Sequence, residues 1–208
     1  MILIGQFDSP FVRRVGIALE LYGLPYEHRP WSSFGDSDKI RQYNPLTRVP
    51  TLVLEDGTAL VDSHMIIDYL DGLMPSTARL FPPSEPMRHK ALRIAAFATG
   101  LADKVVSLFY EMRLHEAPSE VWMARCKMQI VTALSILEQE RITRGTGFWF
   151  SDVMGHADIA LACVLRFLSD VHPDVIAAST CPLLLKDAAA LEAMPVLQKI
   201  SQPFIPPT

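Results

Sequence analysis

Four prolines between residues 75 and 86 (Pro75, Pro82, Pro83 and Pro86) divide a chain whose two sides follow different periodicities. Proline fixes its own φ, lacks a backbone N–H and pushes the residue before it away from helical geometry, so such a cluster interrupts helix and sheet alike. Before it, short apolar runs alternate with helical spacing. Residues 1–5 suit a buried strand. Phe11, Val15, Ala18, Leu19 and Tyr22 then recur at helical intervals across residues 10–22, with Ser9 placed to cap, Pro10 at the first helical position and Gly23 at the stop. Residues 26–29 predict a second strand, 36–42 a short helix and 49–55 a third strand. Asp56-Gly57 is a hairpin turn into residues 58–61, and Met65, Ile66, Tyr69, Leu70 and Leu73 mark a helix from Ser63. The order is βαβαββα. Its first strand–helix–strand unit implies parallel strands with a right-handed crossover, and its hairpin adds an antiparallel edge.

Beyond the prolines, strand signals vanish. Met87, Ala91, Ile94, Ala98, Leu101, Val105, Leu108 and Met112 step by three and four along one long amphipathic helix, and Trp122, Cys126, Ile130, Ala133 and Leu137 along another. Residues 157–169 are apolar nearly all round, as in a helix central to a bundle, and 182–200 predict two short helices. The expected organisation is a first domain at 1–74, a linker at 75–86 and an all-helical domain at 87–208.

Of the 208 residues half are hydrophobic, and the formal net charge is -4 with no run of Lys and Arg, which argues against a nucleic-acid partner. The longest wholly apolar run, residues 159–165, falls far short of the roughly 20 residues that span a bilayer, and residues 1–4 carry no basic leader. A cytoplasmic protein without membrane association is expected. Cys126, Cys163 and Cys181 are odd in number and far apart, so neither a disulfide framework nor a metal site is expected.

Three segments carry the chemistry. Ser9-Pro10-Phe11-Val12-Arg13 lies where the first strand turns into the first helix. Asn44-Pro45-Leu46-Thr47-Arg48-Val49-Pro50-Thr51-Leu52 leads into the third strand, and Asp62-Ser63-His64-Met65-Ile66-Ile67-Asp68-Tyr69-Leu70 opens the third helix. In this order and spacing they resemble the glutathione site of bacterial glutathione transferases. The resemblance is close over the first eighty residues and looser over the helical remainder. It implies a thioredoxin-like domain followed by an all-helical bundle, glutathione as co-substrate, no metal, a small hydrophobic second substrate and a homodimer.

Each segment also has a physical reading of its own. Val49-Pro50 is a candidate cis peptide, since that form costs only about 0.5–1 kcal/mol before proline. By the resemblance, the Val49 backbone pairs with the cysteinyl part of glutathione as an added strand does. An ordinary turn proline is the alternative. Asp62 and Ser63 stand at a helix N-terminus, where free N–H groups and the dipole attract a carboxylate. Ser63 suits the γ-glutamyl carboxylate and Asp62 the ammonium, although a plain N-cap uses the same residues. Ser9 is either the N-cap of the first helix or the donor that stabilises the glutathione thiolate. Neither a cysteine at positions 6–14 nor a tyrosine competes for that second role, and Phe7 lacks a hydroxyl. Arg48 is placed to meet the glycine carboxylate or stay in solvent; Lys39 and His28 are weaker candidates, and Arg13 is as much structural as functional. Gly155-His156-Ala157-Asp158 resembles the family's buried capping box, without the usual Ser or Thr at its head. The function implied is attack of an activated glutathione thiol on an electrophile or peroxide. The alternative is a non-catalytic relative acting through a protein partner, as stringent starvation proteins act on RNA polymerase.

Overall fold

The computed structural model describes residues 1–145 and 147–206. These described residues form two compact units, one of residues 1–83 with those from 193 to 206, the other within 84–192.

In the first unit, β1 (Ile2–Ile4), α1 (Pro10–Leu21), β2 (Glu27–Arg29), α2 (Ser37–Arg41), β3 (Thr51–Val53), β4 (Ala59–Val61) and α3 (Ser63–Leu73) follow the expected order. The sheet order is β2-β1-β3-β4, with β1 parallel to β2 and antiparallel to β3, and β3 antiparallel to β4. This is the thioredoxin-like arrangement. All four strands are three residues long, shorter than their apolar patterns suggest. At the end of β3, Leu54 already belongs to the hairpin, giving its N–H to Thr58 and its carbonyl to Gly57 N–H. Helix α1 closes as the Gly23 signal requires. Gly23 has φ of 64°, its N–H reaches Glu20 O, and Leu24 N–H reaches Leu19 O at 3.0 Å. Leu3 and Leu52, paired across the sheet, are buried on one face; Ile4 and Val53 cluster on the other with Ile40, flanked by Trp31, Tyr43 and Val49.

Much of the predicted linker is folded. Asp71 Oδ1 accepts from Tyr22 Oη (2.6 Å), Leu80 N (2.9 Å) and Phe81 N (3.3 Å), and the Phe81 ring is buried. Burial and then the bond to Asp71 push the Tyr22 phenol far above its usual range, so it remains a donor.

Among its described residues the second unit has five helices and no strand: α4 (Met87–Leu114), α5 (Glu120–Arg144), α6 (His156–Val171), α7 (Pro173–Ala177) and α8 (Pro182–Glu192). Helix α7, starting on Pro173, had no distinct apolar pattern to predict it. Helix α6 is buried along nearly its whole circumference and packs against α4 and α8, as its all-round apolarity implies. Glu138 of α5, itself buried, accepts the first free N–H groups of α8 from Leu183 (2.9 Å) and Leu184 (3.0 Å), a carboxylate at the positive end of a helix. All three cysteines are buried, and none is in a disulfide among the described residues. No helix among the described residues is long and apolar enough to cross a membrane.

The expected extent of the helical domain, 87–208, needs correction at its end. Helix α9 (Pro195–Lys199) and the tail after it belong to the first unit. Buried Arg13 explains this. A guanidinium out of water needs acceptors, and Arg13 finds two carbonyls that a helix end leaves open: Leu197 O at 2.9 Å and Ile200 O at 2.8 Å.

Asp158 supplies half of a capping box. Gly155 has no side chain to contribute, but Asp158 accepts from Gly155 N (2.9 Å) and also from Trp149 N (3.0 Å). Burial outweighs these bonds and raises its carboxyl to about 6. In the unfolded chain an Asp titrates near about 3.9, so the fold prefers the protonated form. Its proton-linked contribution is therefore full below about pH 4 and is lost as pH rises through about 6. Urea unfolding of Asp158→Asn against the parent should show a stability gap that is widest near pH 4 and narrows by about 2–3 kcal/mol at pH 7. A gap that stays constant across that range would show that the carboxyl titrates normally.

Candidate functional site

Strand register brings the three segments together. Ile4, the last residue of β1, pairs with Thr51, the first of β3, and Thr51 pairs with Val61, the last of β4. Residues 5–9, Val49-Pro50 and Asp62-Ser63 thus all leave the sheet at the same end. Gly5 permits the approach: its φ is 131°, and a Cβ there would lie 2.5 Å from Val12 Cγ2 and 2.8 Å from Val49 Cβ. No other residue type fits that position without displacing Val49.

Ser9 ends the loop from β1 and caps α1. Its Oγ accepts from Val12 N at 3.4 Å, a long bond for a cap, while its carbonyl accepts from Arg13 N at 2.9 Å. The hydroxyl has one hydrogen and two acceptor lone pairs. The cap uses a lone pair and leaves the hydrogen to be donated, so the two readings of Ser9 are compatible.

Val49-Pro50 is cis, and Pro50 is buried. Buried Asn44 holds the loop that presents it. Its Nδ2 donates to Arg48 O and Thr51 Oγ1, both at 3.0 Å, and its Oδ1 accepts from Leu46 N at 3.0 Å. Thr51 Oγ1 in turn donates to Arg48 O at 2.9 Å. Thr47 takes a positive φ of 54° between them. The Arg48 side chain is exposed, so its carbonyl is fixed and its guanidinium faces water.

Asp62 is a non-glycine residue at φ 71°, ψ 128°, a conformation costing about 1–3 kcal/mol that the surrounding structure must enforce. It caps α3, accepting from His64 N at 2.9 Å with Oδ1. Ser63 is only 2% exposed, and its Oγ accepts from Arg14 Nη1 at 3.3 Å. Arg14, 1% exposed, thus sets a buried cation behind the N-terminus of α3. Burial, then that charge, lower the His64 imidazole pKa, against the opposing pull of Asp62. The dipole of α3 and the buried Arg14 cation both favour an anion at Ser63.

Three weaker candidates are engaged elsewhere. His28 Nε2 lies 2.8 Å from Gly5 O, its ring stacked on Phe7 at 3.9 Å. Lys39 pairs with Asp36 at 2.6 Å, and Arg13 holds the tail. Arg14 and Asn44 were not foreseen. Asn44 heads the second segment but nothing in the pattern marks its side chain, and Arg14 reads as an ordinary helix charge beside Arg13. Among the described residues no cluster of His, Cys, Asp and Glu is arranged to hold a metal.

Residues 3–78 match the family description "Glutathione S-transferase, N-terminal domain", and residues 120–197 match "Glutathione S-transferase, C-terminal domain". The chain is 32% identical over 171 residues to an uncharacterized GST-like protein, YibF, of Escherichia coli (strain K12), covering 81% of this chain and 82% of that one. Among solved structures it is similar to a glutathione S-transferase of Methylobacterium radiotolerans in complex with glutathione sulfonate, at 28% identity and a TM-score of 0.86 over 99% of this chain and 97% of that one. It is also similar to a glutathione transferase family member of Pseudomonas fluorescens Pf-5 with bound glutathione, at 29% identity and a TM-score of 0.85 over 98% and 99% of the two chains. Two family domains in series, matched by sequence on the same sheet and helices that bring the three segments to one edge, identify the chain as a member of the glutathione transferase superfamily.

Proposed function

We propose that the protein is a glutathione transferase that binds reduced glutathione and activates its thiol for attack on a hydrophobic electrophile or a peroxide. The observation that carries this reading is the convergence of Ser9, Val49 and Asp62-Ser63 at one end of the sheet, in a chain similar to structures holding glutathione or its sulfonate. The γ-glutamyl carboxylate sits at the α3 N-terminus on the Ser63 N–H and hydroxyl, the latter oriented by Arg14, and Asp62 takes the ammonium. The Val49 backbone pairs with the cysteinyl unit beside Pro50, and Arg48 meets the glycine carboxylate.

Ser9 donates its hydroxyl hydrogen to the sulfur. A free thiol has a pKa of about 8.5, and a hydrogen bond to a charged group is worth about 1.5–3 kcal/mol, which lowers the thiol by about one to two units. The α1 dipole acts in the same direction. The thiol proton leaves to solvent, the thiolate forms a bond to the electrophilic carbon, and the leaving group departs with its electron pair. Positioning and thiolate stabilisation suffice, with no metal required.

Calorimetric titration with reduced glutathione should give binding in the micromolar to low-millimolar range that the Asp62→Ala, Ser63→Ala double variant abolishes. Absence of heat in the parent would move the reading to a relative that acts through a protein partner. Ser9→Ala should retain glutathione affinity while turnover near neutral pH falls about 10- to 100-fold, the loss of one charged hydrogen bond. Unchanged turnover would remove Ser9 from the mechanism.

The protein is further proposed to be a homodimer. Met65, Tyr69 and Leu73 recur every four residues on one face of α3 and are 60%, 37% and 48% exposed, an apolar stripe that a second copy would cover. Sedimentation should give twice the chain mass, and Met65→Arg should shift it toward monomer. A monomeric parent at micromolar concentration would overturn the dimer.

A further inference from the structure

We propose that the C-terminal segment, residues 200–205, is a strap that positions Ser9, with Gln202 as its central positioning residue; this rests on Ser9 as the thiolate donor. Residues 5–9 join β1 to α1 as a loop with few backbone contacts of its own. Gly5 N–H continues the ladder to Arg29 O at 2.9 Å, and Ser9 N–H closes a turn on Gln6 O at 3.2 Å. Between them, the backbone N–H of buried Phe7 is met from far along the chain by Gln202 Oε1 at 2.9 Å. The next residue, Asp8, accepts from Ile205 N at 2.9 Å through Oδ2. The two residues before Ser9 are thus both tied to the same tail.

That tail has firm footing. Arg13, one turn into the helix that Ser9 caps, holds the carbonyls of Leu197 and Ile200, and both of those side chains are buried. The Ile200 side chain and the Phe7 ring meet over Gly16, where an added Cβ would lie 2.9 Å from Ile200 Cγ2 and 2.7 Å from Phe7 Cε1. Lys199 also pairs with Glu20 of α1. The strap therefore spans from α1 across Phe7 to Asp8, the residue that leads directly into the Ser9 cap. Donation to a thiolate depends on tenths of an ångström, and a misplacement of about 1 Å is enough to cost about 100-fold in rate.

The test compares the parent with Gln202→Leu, which removes the acceptor, and Gln202→Glu, which keeps one at the same reach. Ile205→Pro, at an exposed position, removes the N–H to Asp8 and serves as a second probe should Gln202→Leu fold poorly. Two readouts are taken on each: the pH titration of the bound glutathione thiolate by ultraviolet absorbance, and amide hydrogen exchange of residues 7–12. Gln202→Leu should bind glutathione within about twofold of the parent while the thiolate titration moves up toward the free value and turnover at neutral pH drops about tenfold. Its residues 7–9 should exchange faster, with α3 unchanged, and Gln202→Glu should restore their protection. Parent-like titration and exchange in both Gln202→Leu and Ile205→Pro would overturn the strap. Should the parent itself fail to lower the thiol, the Ser9 role falls, and exchange alone decides the strap: faster exchange of residues 7–9 in the variants supports it, and unchanged exchange refutes it.

Discussion

Two residue pairs across the sheet, Ile4 with Thr51 and Thr51 with Val61, decide where this protein can do chemistry. Each strand has only three residues, so the register rests on few hydrogen bonds and on the side-chain alternation that buries Leu3 and Leu52 on one face and Ile4 and Val53 on the other. A slip by one residue would turn every strand side chain to the opposite face. It would also separate the three exits from the sheet, because Ser9, Val49 and Asp62 all lie within a few residues of a strand end. The same apolar pattern that builds the core therefore assembles the polar site.

At that edge, capping and ligand binding do not compete for the same atoms. Ser9 and Ser63 each use an oxygen lone pair to accept from the protein, from Val12 N and Arg14 Nη1. What each retains is a hydroxyl hydrogen, the group that an anionic ligand needs. Asp62 accepts from His64 N through one oxygen, and a carboxylate has further acceptor sites for a cation. Common helix-starting residues are thus compatible with a site for a ligand that carries both charges, provided that the local bonds draw on the complementary half of each side chain.

What was legible in the sequence follows from the range of the interactions involved. Helix α1 declared both ends because Ser9, Pro10 and Gly23 act within a few residues, and α6 declared its central place through apolarity on every side. The βαβαββα order and the three segments were readable for the same reason. Strand β3 ends earlier than predicted because Leu54 is apolar yet serves the hairpin, a difference of backbone bonding that hydropathy does not encode. The folded linker and the reassigned tail were not legible at all. Each depends on one buried polar side chain, Asp71 or Arg13, choosing backbone partners distant in sequence or in a segment read as loop. A charged residue in a helical pattern reads as solvated face unless its burial is known.

The residues that support the site share that character. Asn44 shapes the turn before Val49, Arg14 braces Ser63, and Arg13 with Gln202 fixes the approach to Ser9. In every case the recognisable residue belongs to a short local segment, and the residue that aims it is buried or distant. This division has a physical origin. A residue that must meet a ligand keeps part of its polar capacity open, so its local cap bonds are few, and further order is supplied by buried side chains around it. Buried donors such as Asn44, Arg13 and Arg14 are suited to that task, because leaving any one of them unpaired would cost about 1–3 kcal/mol or more. The penalty for breaking the support is the same free energy that keeps the site in register.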